Sequence, residues 1–271
     1  MQETAIEPKK YKLGLALSGG GARGFAHVGV LKALEERGIK PDIIAGVSAG
    51  SIIGVLYSAG FTPEEILKLF VDIKFSDFAE LSVPKDGFFK MDKFKRFLKK
   101  TLPVENLEEL KIPTLVCATD IEHCRSVIFN QGGIVDRVAA SCSIPIIFKP
   151  IKIDGTNYVD GGVLRNLPAW AIRQQCDTLI GVNCSPFLDD YKYKSSIIDI
   201  ANRTYNLMSK VNAIHDMKMC DVVIQTRGIA NQRIFKISAM LNIADSGYNY
   251  ATRVLDEYNI KNKLEHTSTN E

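Results

Sequence analysis

The sequence predicts an α/β fold in which a mainly parallel central sheet lies between two layers of helices, and two kinds of segment lead to that prediction. Short apolar runs such as LGLAL (13–17) and LIGVN (179–183) are typical of strands buried on both faces. Segments such as FAHVGVLKALEERG (25–38) instead repeat apolar residues at helical spacing and end at a glycine. Because strands that alternate with helices are joined by crossovers, we expect a three-layer α/β/α arrangement.

The predicted elements run along the whole chain. Thr62 and Pro63 predict a capped helix start. Asp154-Gly155 predicts the turn of a hairpin between strands at 151–153 and 158–159. The stretch from Lys74 to Pro103 is less regular. The other predicted strands are 42–45, 113–119, 126–129 and 222–225, and the other predicted helices are 51–59, 62–70, 135–142, 167–175, 197–219 and 244–258.

The composition is that of an ordinary globular protein, with 46% hydrophobic and 24% charged residues among 271. A formal net charge of +3 is too small to indicate a nucleic-acid partner. The chain has no linker-like shift in composition and no internal repeat. We therefore expect one domain over residues 11–262, with a disordered segment at 1–10 and a frayed tail at 263–271.

The cytoplasm is the expected location. The first twelve residues are polar and do not resemble a signal peptide, and no stretch approaches the roughly 18 apolar residues of a membrane span. The cysteines form no CxxC pair, so we expect buried free thiols in a reducing compartment rather than disulfide bridges or a metal site. They are Cys117, Cys124, Cys142, Cys176, Cys184 and Cys220.

A glycine-rich turn, SGGGARG (18–24), lies between the first predicted strand and the first predicted helix. Backbone N–H groups of such a turn, at a helix N-terminus, form an anion site. Gly19, Gly21 and Gly24 also match GxGxxG, but a dinucleotide site needs an acidic residue at the end of the second strand, where Gly46 stands. A P-loop is excluded because no GK[ST] follows. A nucleotide site and a purely structural turn remain alternatives.

A second motif, GVSAG (46–50), has the GxSxG pattern between an apolar strand and an apolar helix. This context predicts a nucleophile elbow, a sharp turn that holds the Ser48 hydroxyl clear of the sheet. Gly46 and Gly50 are expected there because larger side chains would collide in so tight a turn. The alternative is a serine that only caps the helix.

A serine nucleophile needs a base, and the histidines offer weak support for one. None follows a strand with an acidic residue nearby, as a Ser…Asp…His triad would require. We expect a packed or backbone-bonded role for His27. The others lie in a hairpin connection, in a long helix and in the C-terminal tail; they are His123, His215 and His266.

A carboxylate is the remaining candidate for the base. Asp160 precedes Gly161 and Gly162, which let the backbone bend and another segment approach closely. The plain alternative is an Asp-Gly turn with a solvated carboxylate. Asp120 and Asp154 are rivals, although Asp154 already has a role in its hairpin turn.

Taken together, GGGARG, GVSAG and DGG, in this order, resemble the patatin-like phospholipase family. The resemblance extends from Leu13 to about Pro186. The segment GGGARGFAHVGVLKALEERGI is similar to the bacterial members and to the catalytic domain of neuropathy target esterase. DGG differs mildly from the DGA of some members. The C-terminal third carries no motif that we can assign.

The resemblance implies a serine acyl hydrolase that cleaves fatty acyl esters of lipids with a Ser48–Asp160 dyad. Ser48 is the nucleophile and Asp160 the general base, whose pKa partial burial should raise toward working pH. The oxyanion hole is formed by the loop Gly19, Gly20, Gly21, Ala22, Arg23 and Gly24, with help from Arg23 nearby. We assign the strings ASCSIPIIFKP (140–150) and NLP (166–168) to the positioning of Asp160. No metal or organic cofactor is required.

The segment MDKFKRFLKK (91–100) predicts a basic amphipathic helix with Phe94, Phe97 and Leu98 on one face. We expect this face to pack on the sheet, and a helix that lies on a lipid surface is the alternative. The resemblance implies a lipid or acyl-ester substrate. In the alternative in which the helix lies on lipid, Lys9, Lys10 and Lys12 would add weak attraction to anionic lipid, and the protein would make peripheral contact with the inner membrane face.

Two rival classes stay open: a non-catalytic adaptor that binds a partner protein, and a dinucleotide-dependent oxidoreductase. The sequence does not reveal the acyl length, the head group or the oligomeric state.

Overall fold

The computed structural model describes residues 9–73, 75–78, 80–81, 87–185, 196–227 and 239–258. Most of the segment predicted to be disordered (1–10) and the whole of the predicted frayed tail (263–271) lie outside these residues.

The central sheet has eight strands, and five of them form its parallel part. Four parallel pairings join β10, β9, β1, β2 and β5 in that spatial order. At the far side the pairing becomes antiparallel, because β6 and β8 both pair with β5 and β7 pairs with β8. The strands are β1 (Tyr11–Leu17), β2 (Ile43–Val47), β5 (Thr114–Asp120), β6 (Arg125–Phe129), β7 (Ile151–Ile153), β8 (Thr156–Asp160), β9 (Cys176–Asn183) and β10 (Val222–Gln225); two short strands outside the sheet, β3 (Glu80–Leu81) and β4 (Phe89–Lys90), pair with each other.

Helices cover both faces of this sheet, which confirms the predicted three-layer α/β/α fold. Side chains on one strand alternate between the faces: Leu15 and Leu17 join a core with α1 and α8, whereas Ala16 packs with α6 and α7. The helices are α1 (Phe25–Glu35), α2 (Ala49–Ala59), α3 (Pro63–Phe70), α4 (Asp92–Thr101), α5 (Ile134–Ser141), α6 (Ala169–Ile172), α7 (Ile197–Met217) and α8 (Met240–Tyr258).

Local signals in the sequence fixed most of these boundaries to within a few residues. Thr62 caps α3 through a reciprocal capping box with Glu65, and Pro63 takes the first helical position as predicted. Asp154 and Gly155 both have positive φ, 49° and 90°, in the tight turn between β7 and β8. The predicted helix 167–175 is shorter than expected, because only Ala169–Ile172 is α-helical and a single 3-10 turn follows.

Helices α1 and α8 cross at a contact between backbones. A Cβ atom on Gly29 would lie 1.9 Å from the carbonyl oxygen of Ala244, and one on Gly247 would lie 2.1 Å from that of Ala26. Neither position accepts a larger residue unless the helices separate. This crossing holds α1, and with it the glycine-rich turn at its N-terminus, against the C-terminal helix.

None of the helices in the described part of the chain is both long and apolar enough to span a bilayer.

Candidate active site

Ser48 stands at the turn where β2 ends and α2 begins, with backbone angles φ 51° and ψ −123°. A positive φ is unfavourable for a serine and persists only where the surroundings enforce it. The flanking glycines show how tight the turn is. A Cβ on Gly46 would lie 2.6 Å from the backbone of Ser51, and one on Gly50 would lie 2.2 Å from the carbonyl oxygen of Leu17. The structure therefore confirms the predicted reason for both glycines, which is that a larger side chain would collide in this turn.

Ser141, at the last position of α5, holds this turn in place. The backbone N–H of Ser48 donates to the Ser141 hydroxyl at 2.8 Å, and that hydroxyl donates to the carbonyl oxygen of Cys117 on β5 at 2.6 Å. Ser51 donates to the Ser48 carbonyl at 2.7 Å. These short bonds, all buried, fix the elbow relative to the neighbouring strand.

The register of the sheet brings Asp160 to the same place. On β5, Cys117 pairs with Val47 of β2, and the next residue, Ala118, pairs with Asp160 of β8. Because β6 occupies the opposite edge of β5 at both positions, β2 and β8 share one edge and run toward each other. Ser48, which follows Val47, and Asp160 therefore meet where the two strands end, although 112 positions separate them in the chain.

Asp160 is completely buried. Its Oδ1 accepts the N–H of Gly162 at 2.8 Å, and its own N–H donates to the carbonyl oxygen of Ser143 at 2.9 Å. Its Oδ2 has no hydrogen bond of regular geometry. Burial raises the pKa of Asp160 to about 6, while the Gly162 N–H and the nearby Ser48 and Tyr205 hydroxyls oppose the rise. The expected upward shift of this pKa is confirmed.

The glycine-rich turn lies beside the elbow. A Cβ on Gly19 would lie 3.2 Å from the Cβ of Ser48, and one on Gly24 would lie 2.4 Å from that of Ala49. Residues Gly21–Gly24 form a 3-10 turn that leads directly into α1. Within the described chain, the N–H groups of Gly20, Gly21 and Ala22 donate to no acceptor. Three backbone donors at a helix N-terminus are thus available next to the serine hydroxyl.

The Arg23 side chain lies inside the protein and is held by three hydrogen bonds. Its guanidinium is buried and donates to the Gly20 carbonyl at 3.3 Å, to Asn206 of α7 at 2.9 Å and to Ser185 at 3.4 Å. Burial lowers the pKa of Arg23. The contacts tie the glycine-rich turn to α7 and leave the side chain no contact with Ser48. These contacts brace the turn, and direct help from Arg23 in stabilising an oxyanion stays a prediction.

A cavity of about 130 Å³ opens directly on Ser48. Its walls are almost entirely apolar and include aromatic rings from α1, α3 and α4. The apolar face of the helix predicted to pack on the sheet is buried, since Phe94 is 3% exposed, but it packs against α5 and lines the cavity wall. The lining residues are Gly21, Ala22, Gly24, Phe25, Ser48, Ala49, Ile52, Ile53, Phe70, Phe78, Met91, Phe94, Cys142, Ile144 and Phe148.

None of the described histidines is placed as a general base for Ser48. His27 is buried in α1 with its Nε2 2.8 Å from the carbonyl oxygen of Ser18, as expected of a backbone-bonded histidine. His123 lies against the rival carboxylate Asp120, with Nδ1 2.9 Å from Oδ2, and Arg125 contacts the same oxygen at 3.0 Å. His215 lies exposed on α7, and His266 is outside the described residues.

Sequence reasoning missed the contributions of α7. Asn212 donates to the Gly162 carbonyl at 2.9 Å and accepts the Asn166 N–H at 2.8 Å, and Asn206 holds Arg23. The Tyr205 hydroxyl lies against Gly162, next to Asp160. A signal was present, because Tyr205, Asn206, Ser209, Asn212 and Asp216 recur at helical spacing and form a polar stripe.

The fold and this site together define a three-layer α/β protein with a nucleophile-elbow serine beside a buried aspartate. Residues 15–172, more than half of the chain, match the sequence model of the family described as patatin-like phospholipase. The chain belongs to the patatin-like phospholipase family.

Several curated proteins are similar to this chain over the same region. An uncharacterized NTE family protein of Mycobacterium tuberculosis is 34% identical over 168 residues, which are 58% of this chain and 44% of that protein. Human patatin-like phospholipase domain-containing protein 6 is 34% identical over 166 residues, 58% of this chain and 12% of that protein. Lysophospholipase NTE1 of Saccharomyces cerevisiae is 30% identical over 181 residues, 63% of this chain and 11% of that protein. The chain thus spans less than half the length of these relatives.

Among solved structures, VipD from Legionella pneumophila is similar in fold. The TM-score is 0.50 at 16% sequence identity, over 92% of this chain and 67% of that one.

Proposed function

We propose that this chain is a serine acyl hydrolase that cleaves fatty acyl esters of lipids, as a phospholipase A or lysophospholipase does. The observation that carries the proposal is the meeting of Ser48 and Asp160 at one edge of β5, beside unpaired backbone N–H groups. Membership of the patatin-like phospholipase family and similarity to a yeast protein named lysophospholipase support it.

Acylation begins when Asp160 accepts the Ser48 proton while Ser48 Oγ forms a bond to the ester carbonyl carbon. The carbonyl oxygen then carries the negative charge, and the N–H groups of Gly20, Gly21 and Ala22 are the donors available to it, because those of Gly19 and Arg23 already donate to the carbonyl oxygens of Asn166 and Gly20. Each such donor typically contributes ~3–4 kcal/mol to transition-state stabilisation. Collapse of this intermediate breaks the bond to the alcohol, which leaves with the proton from Asp160.

Deacylation repeats the same steps with water. Asp160 accepts a proton from water as the water oxygen attacks the acyl carbon, and collapse breaks the bond to Ser48 Oγ. Ser48 recovers its proton from Asp160, and the fatty acid is released. A carboxyl group with a pKa of about 6 is ionised at neutral pH yet basic enough to accept a proton, which an exposed aspartate does poorly.

The cavity supports an acyl chain as the group that is bound. It starts at Ser48 and is walled by phenylalanine and isoleucine side chains, so a hydrocarbon chain attached to the reacting carbonyl would be removed from water along its length. Aliphatic chains gain about 0.8 kcal/mol for each buried CH₂ group. Esters of long-chain acids are therefore expected to be better substrates than acetate esters.

Location and membrane contact form part of this proposal. We propose a cytoplasmic enzyme that touches the inner membrane face through the outer side of α4. Arg96, Lys99 and Lys100 are exposed there, whereas Lys95 is engaged 2.7 Å from Asp136. Cations of this kind attract anionic lipid by about 1 kcal/mol each.

The test is hydrolysis of a panel of phospholipids, lysophospholipids and simple esters by the wild type and by Ser48→Ala. Loss of the nucleophile should lower kcat by on the order of 10⁶-fold. Ser126→Ala, on β6 outside the site, is the matched control and should keep full activity. Unchanged turnover by Ser48→Ala would overturn the proposal.

A fluorophosphonate probe separates this function from the two rival classes. We expect covalent labelling of Ser48 in the wild type and none in Ser48→Ala. An adaptor with an inactive site would not react, and a dinucleotide-dependent oxidoreductase would bind a nicotinamide cofactor and be indifferent to the probe.

A further inference from the structure

Helix α7 lies beyond the residues that match the family model, which end at position 172, yet it contacts both the glycine-rich turn and the segment that follows Asp160. Asn206 binds Arg23 of the glycine-rich turn at 2.9 Å, and Asn212 binds the carbonyl of Gly162 at 2.9 Å and the N–H of Asn166 at 2.8 Å. Tyr205, on the same face of α7, projects its hydroxyl between these contacts toward the Asp160-Gly161-Gly162 segment.

Gly162 shows how close this hydroxyl comes. A Cβ atom on Gly162 would lie 2.3 Å from the Tyr205 oxygen and 2.8 Å from the side-chain oxygen of Asn166. An alanine at position 162 would therefore collide with the tyrosine. The second glycine of DGG is explained by the tyrosine, because the hydroxyl occupies the space that a methyl group would fill.

Asp160 offers an acceptor next to this hydroxyl. One carboxylate oxygen, Oδ1, is taken by the Gly162 N–H at 2.8 Å, whereas Oδ2 is buried without a hydrogen bond of regular geometry. A buried carboxylate oxygen without a donor is costly, and a phenol hydroxyl is a neutral donor that adds no charge. The titratable side chains that face Asp160 are Tyr205 and Cys142, and burial raises the pKa of both, so each is uncharged at neutral pH.

We propose that Tyr205 is a positioning residue of the dyad, which donates its hydroxyl to Asp160 Oδ2 when the carboxylate is ionised and so keeps Oδ1 and Oδ2 oriented toward Gly162 and Ser48. This inference rests on the proposed function of Ser48 and Asp160. The Tyr205 hydroxyl stabilises the ionised carboxylate of Asp160. Once Asp160 has accepted the proton from Ser48, its carboxyl group is neutral and gains less from the same donor. Tyr205 thereby lowers the pH above which the base works.

The test is Tyr205→Phe, which removes only the hydroxyl. Without this donor the Asp160 carboxylate is less stable, so the acidic limb of the kcat/KM profile should move to higher pH by about one unit, with up to a tenfold loss of rate below the limb and little loss above it. The matched control is Tyr248→Phe, which removes a phenol hydroxyl bonded to the Glu36 carboxylate at 2.6 Å on the surface. It should leave the limb where it is.

Each outcome decides the matter. An acidic limb that coincides with that of the control, or a loss of rate that is equal at every pH, would overturn the role of Tyr205 while leaving the proposed function intact. The same pH series of fluorophosphonate labelling at Ser48 gives a second readout that does not depend on the substrate chosen. A wild-type chain that is neither labelled nor active would overturn both proposals together.

Discussion

Helices α4 and α7 are both amphipathic, but they turn opposite faces to the protein. In α4 the apolar residues Phe94 and Leu98 are buried, and Lys99 and Lys100 are exposed. In α7 the buried or half-buried side is polar and binds the active-site loops, while the apolar residues are outside. Those exposed side chains are Ile197, Ile198, Ile200, Leu207, Met208, Val211 and Ile214, at 40–72% exposure.

The difference follows from what each helix packs against. Helix α4 packs against α5 and covers an apolar cavity, so burial of hydrocarbon decides its orientation. Helix α7 covers turns whose carbonyl and N–H groups have no partners within their own segment, and burying such groups without hydrogen bonds costs ~1–3 kcal/mol each. A row of amide and hydroxyl side chains satisfies them. The orientation of an amphipathic helix thus depends on the surface that it covers.

The largest effect is expected from equal truncations on the two helices. Leu98→Ala removes a side chain with no exposure from the core side of α4 and should lower the free energy of unfolding by about 2–5 kcal/mol. Leu207→Ala removes the same atoms from the outer side of α7, where the leucine is 43% exposed, and should change it by about 0.5 kcal/mol or less. Urea denaturation measures both, and a large loss for Leu207→Ala would show that the outer face of α7 is covered.

A smaller effect on folding stability is expected from the carboxyl group of Asp160, which lies beside α7. The pKa of Asp160 is about 6 in the folded chain and near 3.8 in the unfolded chain. As pH rises through this window only the unfolded chain ionises, so folding stability falls and stays lower above pH 6, by up to about 3 kcal/mol at 1.36 kcal/mol per pKa unit. Asp160→Asn removes this cost.

Thermal unfolding at two pH values checks that expectation. Asp160→Asn should melt at a higher temperature than the wild type at pH 8 and at nearly the same temperature at pH 4, while losing activity. Ser126→Ala, outside the site, removes no titratable group and is the control, so its difference in melting temperature from the wild type should be the same at both pH values. Equal stability of Asp160→Asn and wild type at pH 8 would mean that the carboxylate is not buried as described.

The smallest effect concerns the outer face of α4. Lys99→Gln with Lys100→Gln removes two exposed cations, so binding to vesicles containing anionic lipid should weaken by about 1 kcal/mol per charge, roughly fivefold each. Flotation with anionic and zwitterionic vesicles measures this. Lys40→Gln with Lys152→Gln, two exposed lysines away from α4, is the matched control. If both double variants float equally, α4 does not contact the membrane.

The sequence was sufficient for features with local causes. The elbow around Ser48, the capped start of α3 and the Asp154-Gly155 turn depend on residues within a few positions of one another, and each has a distinct steric signature. The meeting of Ser48 with Asp160 was reached through a family resemblance, because strand register is not written in any short segment. The contacts of the Arg23 side chain were not predicted, since its partner Asn206 lies 183 positions away.

The glycine contact between α1 and α8 has a practical consequence for anyone who divides this chain. A fragment ending at position 172, where the recognisable family region stops, would lack β9, the strand that pairs along most of β1, and would leave α1 bare along the groove that α8 fills. The amide donors beside Ser48 would then precede a helix that still packs on α2 and α3 but has lost its contact with α8. We expect a polypeptide that ends at position 172 to be inactive and to aggregate. Residues after 172 are therefore expected to belong to the smallest active fragment, although they carry no recognised motif.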